Sequence, residues 1–301
     1  MRKTAFLAAT FALALAWAKP AAADNVLFDY TGSGCPGGTG TGTCVTLQSI
    51  DWLQGNSIII LTGPNTATIH YQANLNQVIA TNGPSPTTDV PNGTGGEFFT
   101  AVATFTITFT GATTFDVNPG GTFSIFSDDA YADDLTGGGE FADGTLVLSG
   151  TAIDGNGNFA FAATQPVPLE DLDSFEDNDH LGVTTLSGSG GSDINLDVTF
   201  VNLAYFPFLS DLSTFAFTNT SLIDPFRQID PTFLFYNGVI GVPSVGPVNG
   251  LGPNIMTQAD ANTSFEVDQV VPEPASLILL GSGLLGTVAA SRRRRMKKDP
   301  Q

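Results

Sequence analysis

"TFTITFTG", residues 104–111, sets Phe105, Ile107 and Phe109 against Thr104, Thr106, Thr108 and Thr110 in strict alternation. A period of two in aromatic and β-branched residues belongs to a strand with one face buried and the other in water. "INLDVTF", residues 194–200, repeats the device with Ile194, Leu196, Val198 and Phe200 on the predicted inner face. Shorter runs of this kind occur at 57–61, 122–126, 145–148, 158–161, 214–217, 232–235 and 264–267, separated by the Gly, Pro, Asn and Asp clusters that favour turns. No amphipathic helix of three turns interrupts them. One short helix is expected after Pro168, where Glu170 and Asp171 would sit at its positive end. The pattern predicts an all-β fold, an antiparallel β-sandwich-like single domain. Of 23 phenylalanines only Phe6 and Phe11 precede residue 24, so the domain has ample aromatic material for a core.

Two ends stand apart from this domain. Arg2 and Lys3 precede an apolar run from Ala5 to Ala18, and Ala21 and Ala23 fit a small-residue cleavage site, so residues 1–23 are read as a signal peptide cut before Asp24. Residues 24–270 form the predicted secreted domain. The far end carries Pro272, Glu273 and Pro274, an apolar stretch from Ala275 to Ala290, then Arg292, Arg293, Arg294 and Arg295 with Lys297 and Lys298. As a helix that stretch spans about 24 Å against a hydrocarbon core of about 30 Å. It suffices if the arginines snorkel, and the prolines stop the helix from extending backward. The basic cluster is a stop-transfer signal that stays cytoplasmic and leaves the domain outside.

The order of motif, apolar segment and arginine cluster over 271–298 closely resembles the PEP-CTERM sorting signal of exopolysaccharide-producing Gram-negative bacteria. The resemblance implies recognition by an exosortase, a membrane transpeptidase-like enzyme that cuts near the motif. The inner membrane then holds the chain only transiently. A permanent single-span anchor is the alternative, since hydropathy does not reveal cleavage.

The chain has 29 acidic and 10 basic residues, a formal net charge of −19. All the acids except Glu273 and Asp299 lie between Asp24 and Val271, where Arg227 is the single basic residue. Such a surface repels phosphate backbones and anionic headgroups, which excludes nucleic acid and peripheral membrane attachment as partners. Like molecules repel too, so close packing in a matrix would need screening salt or bridging divalent cations. The plainer reading is solubility.

Cys35 and Cys44, in "GSGCPGGTGTGTC", are the two cysteines of an exported chain and are expected to form a disulfide. A metal pair lacks a further Cys or a nearby His to complete it.

Catalytic material is sparse. His70, in "IHYQANL", reads as an ordinary surface or core imidazole, and His180 as one histidine in a polar loop. No nucleophile elbow, P-loop, zincin or dinucleotide motif occurs. Carboxylates are abundant enough for a glycosidase pair, but nothing selects two of them. Asp171, Asp173, Glu176, Asp177 and Asp179 are candidate calcium ligands, as are Asp128, Asp129, Asp133 and Asp134, with a solvated loop as the competing reading of the first group. Asp154, Asn156 and Asn158 begin like an EF-hand loop. Phe159 and Gln165 then break the pattern, and a hairpin turn between "TLVLSGTAI" and "NFAFAA" is expected instead.

Beyond the tail, "DWLQGNSI" from Asp51, "YQANL" from Tyr71, "NGTGGEFFT" from Asn92, "LDSFEDND" from Leu172, "YFPFL" from Tyr205, "TNTSLIDPFRQIDP" from Thr218 and "QADANTSFEV" from Gln258 are similar to strings of the flocculation-associated PEP-CTERM proteins. Gln54 departs from the proline usual there. This resemblance implies a non-enzymatic surface or matrix protein that helps cells clump within exopolysaccharide, with exosortase and extracellular polysaccharide as partners. A calcium-dependent carbohydrate-binding module and a polysaccharide-cleaving enzyme are the alternatives. No cofactor is expected beyond a candidate Ca2+.

Overall fold

A computed structural model describes residues 26–35, 43–80, 89–132, 138–161, 170–171, 184–207, 214–223, 235–238 and 244–266. Among the described residues fourteen strands run in chain order as β1 (Leu27–Asp29), β2 (Cys44–Gly63), β3 (Thr66–Ala80), β4 (Val90–Pro91), β5 (Phe98–Phe109), β6 (Thr114–Val117), β7 (Thr122–Asp128), β8 (Thr145–Phe161), β9 (Glu170–Asp171), β10 (Thr184–Thr185), β11 (Gly188–Val201), β12 (Thr214–Ile223), β13 (Val248–Asn249) and β14 (Asn254–Glu266). Among the described residues the helical elements are two short 3-10 turns, Thr94–Gly96 and Gly138–Phe141. Glu170 and Asp171, expected to open a helix after Pro168, instead form β9, antiparallel to β10, which pairs in parallel with β13.

The main sheet closes on itself. From β2 the antiparallel neighbours are β14, β12, β11 and β8, then β6 and β7 sharing one place, then β5 and β3, and β3 pairs back to β2. This corrects the expected sandwich to a barrel-like sheet. Alternation along a strand is the same in both architectures, and what separates them is the β2–β3 ladder, which joins what would otherwise be two open edges. A ring of about eight strands leaves an interior just wide enough for side chains to fill it.

One-residue bulges make the long strands work. Trp52 pairs with Leu75 but Asn56 pairs with Gln72, so β2 carries one residue more than β3 across this span. Ile50 and Trp52 therefore point inward before the bulge, and Ser57 and Ile59 after it. Gly55 sits in the bulge because a Cβ there would lie 2.2 Å from the Gln72 carbonyl oxygen. In β8 the extra residue is Ile153, which is exposed. In β11 it is Thr199, and it turns Phe200 outward, 42% exposed, against the inward place that alternation assigned it. The hairpin expected around Asp154–Gly157 is also overturned, since β8 runs unbroken and Asn156 pairs with Asp193 on one side and Asp116 on the other. Gly157 makes room instead of a turn: a Cβ there would meet the Phe115 ring at 2.3 Å.

Aromatic rings fill the interior. Phe123 touches Phe217, Phe215 and Trp52 at centroid separations of 5.0, 5.5 and 6.3 Å, and Phe217 touches Tyr71 and Phe105. A second group, Phe28, Phe99, Tyr205 and Phe206, connects to it through Phe265. Such rings prefer tilted and edge-to-face contacts, so this core is both well filled and specific. Outside the ring, Ile58, Phe235, Val245 and Met256 form one satellite cluster, and Val102, Ala132 and Phe141 another.

Candidate functional sites

The leader, the sorting tail with Pro272, Glu273, Pro274 and Arg292–Arg295, and most of the predicted calcium run lie outside the described residues. Of that run only the backbone of Asp171 is placed, in β9 opposite Thr184. Asp128 ends β7 and its carboxylate accepts the Asp129 amide at 2.6 Å, while Asp133, Asp134 and His180 lie outside as well. Among the described residues no helix is long and apolar enough to cross a membrane, and the two apolar end segments fall beyond that set.

Cys35 and Cys44 form the expected disulfide, with Cα atoms 5.7 Å apart. Sequence reasoning missed their neighbour. Asp29 pairs directly across the β1–β2 ladder with Cys44 and is fully buried. Its Oδ1 accepts the Thr31 amide at 2.9 Å and the Thr31 hydroxyl at 2.8 Å, and its Oδ2 accepts the Ser33 hydroxyl at 3.1 Å. These bonds tie the segment carrying Cys35 back to the sheet and satisfy a carboxylate that burial would otherwise penalise. Beside it, Tyr205 donates to Glu97 Oε2 at 3.2 Å, and the Ser127 hydroxyl donates to the same oxygen. Burial foremost pushes the Tyr205 phenol upward, and the charge of Glu97 adds to the shift.

On the outer face of β3 and β5 lies a covered polar patch. His70 Nδ1 is 2.7 Å from the Asn237 amide nitrogen and 3.0 Å from Thr104 Oγ1. Thr104 in turn bonds the Tyr236 hydroxyl, and Gln72 Oε1 accepts the Tyr236 amide at 2.9 Å. An amide nitrogen can only donate, so Nδ1 is the acceptor and the imidazole is neutral with its proton on Nε2. Desolvation holds the His70 pKa below its ordinary value. The expected satisfied imidazole is what the geometry gives, with Nδ1 held between Asn237 and Thr104.

Among the described residues, the outer face of β8, β11, β12, β14 and β2 carries a regular set of polar side chains. Register places Asn156, Asp193, Thr218, Asn262 and Asp51 in one row across five strands. A second row runs Asp154, Asn195, Ala216, Ser264 and Ser49. Neighbouring strands are about 4.8 Å apart and same-face residues about 6.7 Å apart along a strand, so the array is nearly regular. Thr218 donates to Asp193 Oδ1 at 2.9 Å and Asn195 to Asp154 Oδ1 at 2.6 Å, which orients part of it. Asp and Asn are poor strand formers. Their concentration here opposes local propensity. The alternation of Asp193, Asn195 and Asp197 was visible in the sequence; the rows were not, because they depend on cross-strand register.

A small cavity lined in part by Tyr71, Phe115, Asn158, Ser192, Phe217 and Asn219 measures about 30 Å³, the scale of a water molecule and too small for a sugar ring.

Residues 270–295 match the family model of the PEP-CTERM protein-sorting motif. No curated protein and no solved structure matches the chain. The motif marks an exported, exosortase-targeted protein, and the disulfide accords with a destination where thiols oxidise.

Proposed function

We propose that this is a non-catalytic protein of the cell surface or extracellular matrix that associates with exopolysaccharide in flocs or biofilm after sorting. What supports the association is the outer face of β8, β11, β12 and β14: rows of amides, hydroxyls and carboxylates at sheet spacing, with no lysine or arginine in the whole domain except Arg227. Carboxylate and amide oxygens accept from sugar hydroxyls and amide nitrogens donate to them, so an extended glycan can lie along the rows without entering a pocket. Exosortase acts on the tail, and the domain meets the polymer.

Co-sedimentation of the purified protein with exopolysaccharide from the producing cells tests this. Retention that falls when Asn156, Asp193 and Asn262 are replaced together by alanine supports the reading; equal retention of variant and parent removes it. The same assay with a chelator asks whether calcium bridges carboxylates to the polymer, as the acids on this face would permit. Release of reducing ends during incubation would replace the non-catalytic reading with the enzymatic one.

A further inference from the structure

At the end of the barrel where β1 meets β2, three potential metal ligands converge. Asp29 and Cys44 are a directly opposed cross-strand pair, and Cys35 is tied to Cys44. One carboxylate oxygen of Asp29 and the two sulfurs all lie within 4.8 Å of one another. Two of the three donors stand on paired strands, and the third on a segment that the Asp29 carboxylate itself holds through Thr31 and Ser33. We propose that reduction of Cys35–Cys44 converts this cluster into a binding site for one zinc-class divalent ion, held by two thiolates and the Asp29 carboxylate.

The spacing suits that chemistry. Zinc bonds of about 2.3 Å to sulfur and about 2.0–2.2 Å to oxygen set tetrahedral ligand atoms roughly 3.5–3.8 Å apart, inside the spread of this cluster once the sulfurs are free to separate. Three protein ligands and a water complete four-coordination. Two thiolates favour zinc-class ions over calcium or magnesium, which take oxygen.

The electrostatics point the same way. In the disulfide form Asp29 is balanced only by hydrogen bonds, and among the described residues no lysine, arginine or histidine is in ion-pair contact with it. Free thiolates beside this carboxylate would face like-charge repulsion. A divalent cation removes that repulsion and makes all three ligands compatible.

A dithiol or phosphine reductant supplies two electrons, the sulfur–sulfur bond breaks and takes up two protons to give two thiols, and the metal displaces those two protons to solvent. Newly exported chain, reduced before it meets an oxidant, already stands at the second stage. Disulfide formation and metal capture are then competing fates of the same thiols.

The test uses full-length chain, oxidised or reduced with a phosphine, titrated with Co2+ and then with Zn2+. The expected result is a thiolate-to-cobalt charge-transfer band that saturates at one ion per reduced chain, is abolished by Zn2+, and is absent from the oxidised chain. Asp29→Asn should weaken binding by about ten-fold or more, and Cys35→Ser should eliminate the band. No band in reduced protein, or an unchanged affinity in Asp29→Asn, overturns the proposal. X-ray absorption on zinc-loaded wild type decides it independently of whether that variant folds. Two sulfur neighbours with oxygen neighbours support the site, and four sulfurs, meaning a site shared between two chains, overturn it.

Discussion

The indole Nε1 of Trp52 donates to Thr263 Oγ1 at 2.8 Å, buried, across 211 residues of sequence. It ties β2 to β14 three residues before Gly55, on the strand whose other edge closes the barrel against β3. Thr263→Val keeps the shape of the side chain and removes the acceptor, leaving an indole N–H orphaned in an apolar interior. The expected cost is about 1–3 kcal/mol, read as a lower urea midpoint with an unchanged slope. Trp52→Phe, which removes the donor, should lose ring volume and yet leave no orphaned N–H. An unaltered midpoint in Thr263→Val would show that the bond adds nothing.

Loss of the disulfide should weaken the domain through the unfolded chain. With a separation of nine residues between Cys35 and Cys44, the chain-entropy account gives about 2–3 kcal/mol. For a domain of this size that is a fall in Tm of roughly 4–12 °C. A paired Cys35→Ser, Cys44→Ser variant measured by scanning calorimetry checks it. Asp29 retains its bonds to Thr31 and Ser33 in that variant, so the barrel itself should persist with its strand signal intact.

Most of the strands, and the identity of the core, could be read from alternation alone, because side chains at 105, 107, 194 and 196 need only their own neighbours to declare a face. Closure could not, since it is a property of which strands pair. The misplacement of Phe200 has its origin in a single extra residue at Thr199, which reverses the side chains after it and which no local pattern announces. Glycine misled in the same region: Gly155 and Gly157 suggested a turn, whereas they are spaces for Val117 and Phe115. Asp29 was invisible as a partner of the cysteines because the β1–β2 ladder, not sequence spacing, brings them together.

His70 should make stability fall on mild acidification. Its pKa is lowered from the ordinary 6.5 by desolvation. Above about pH 6.5 both folded and unfolded imidazoles are neutral and the group contributes no pH dependence. As pH drops through that value the unfolded chain gains a proton that the folded chain resists, so stability declines until the lower folded pKa is passed. His70→Gln should flatten this segment of the urea-midpoint profile between pH 7 and 5. The surrounding partners, Thr104, Asn237, Tyr236 and Gln72, do not titrate in that window. A parent profile already flat there would refute the assignment.

Asp260 should act in the opposite sense. It projects from β14 on the outer face, and its pKa is raised from 3.8, first by desolvation and then by the neighbouring charge of Asp51. A carboxyl whose folded pKa is raised favours the folded state only while it is protonated, and that advantage is lost as pH rises from about 3.8 through the folded value. At neutral pH the pair Asp51 and Asp260 is therefore a small standing repulsion on an exposed surface. Asp260→Asn removes it and should raise the Tm at pH 7, by an amount worth less than about 1 kcal/mol because solvent screens the pair. Salt should shrink the gain, since ions screen exposed charges within about 10 Å at 0.1 M. Below the ordinary carboxylate range the parent is itself neutral at this position, and the two proteins should melt together. A gain that persists there would assign the effect to packing or hydrogen bonding by the amide and not to charge.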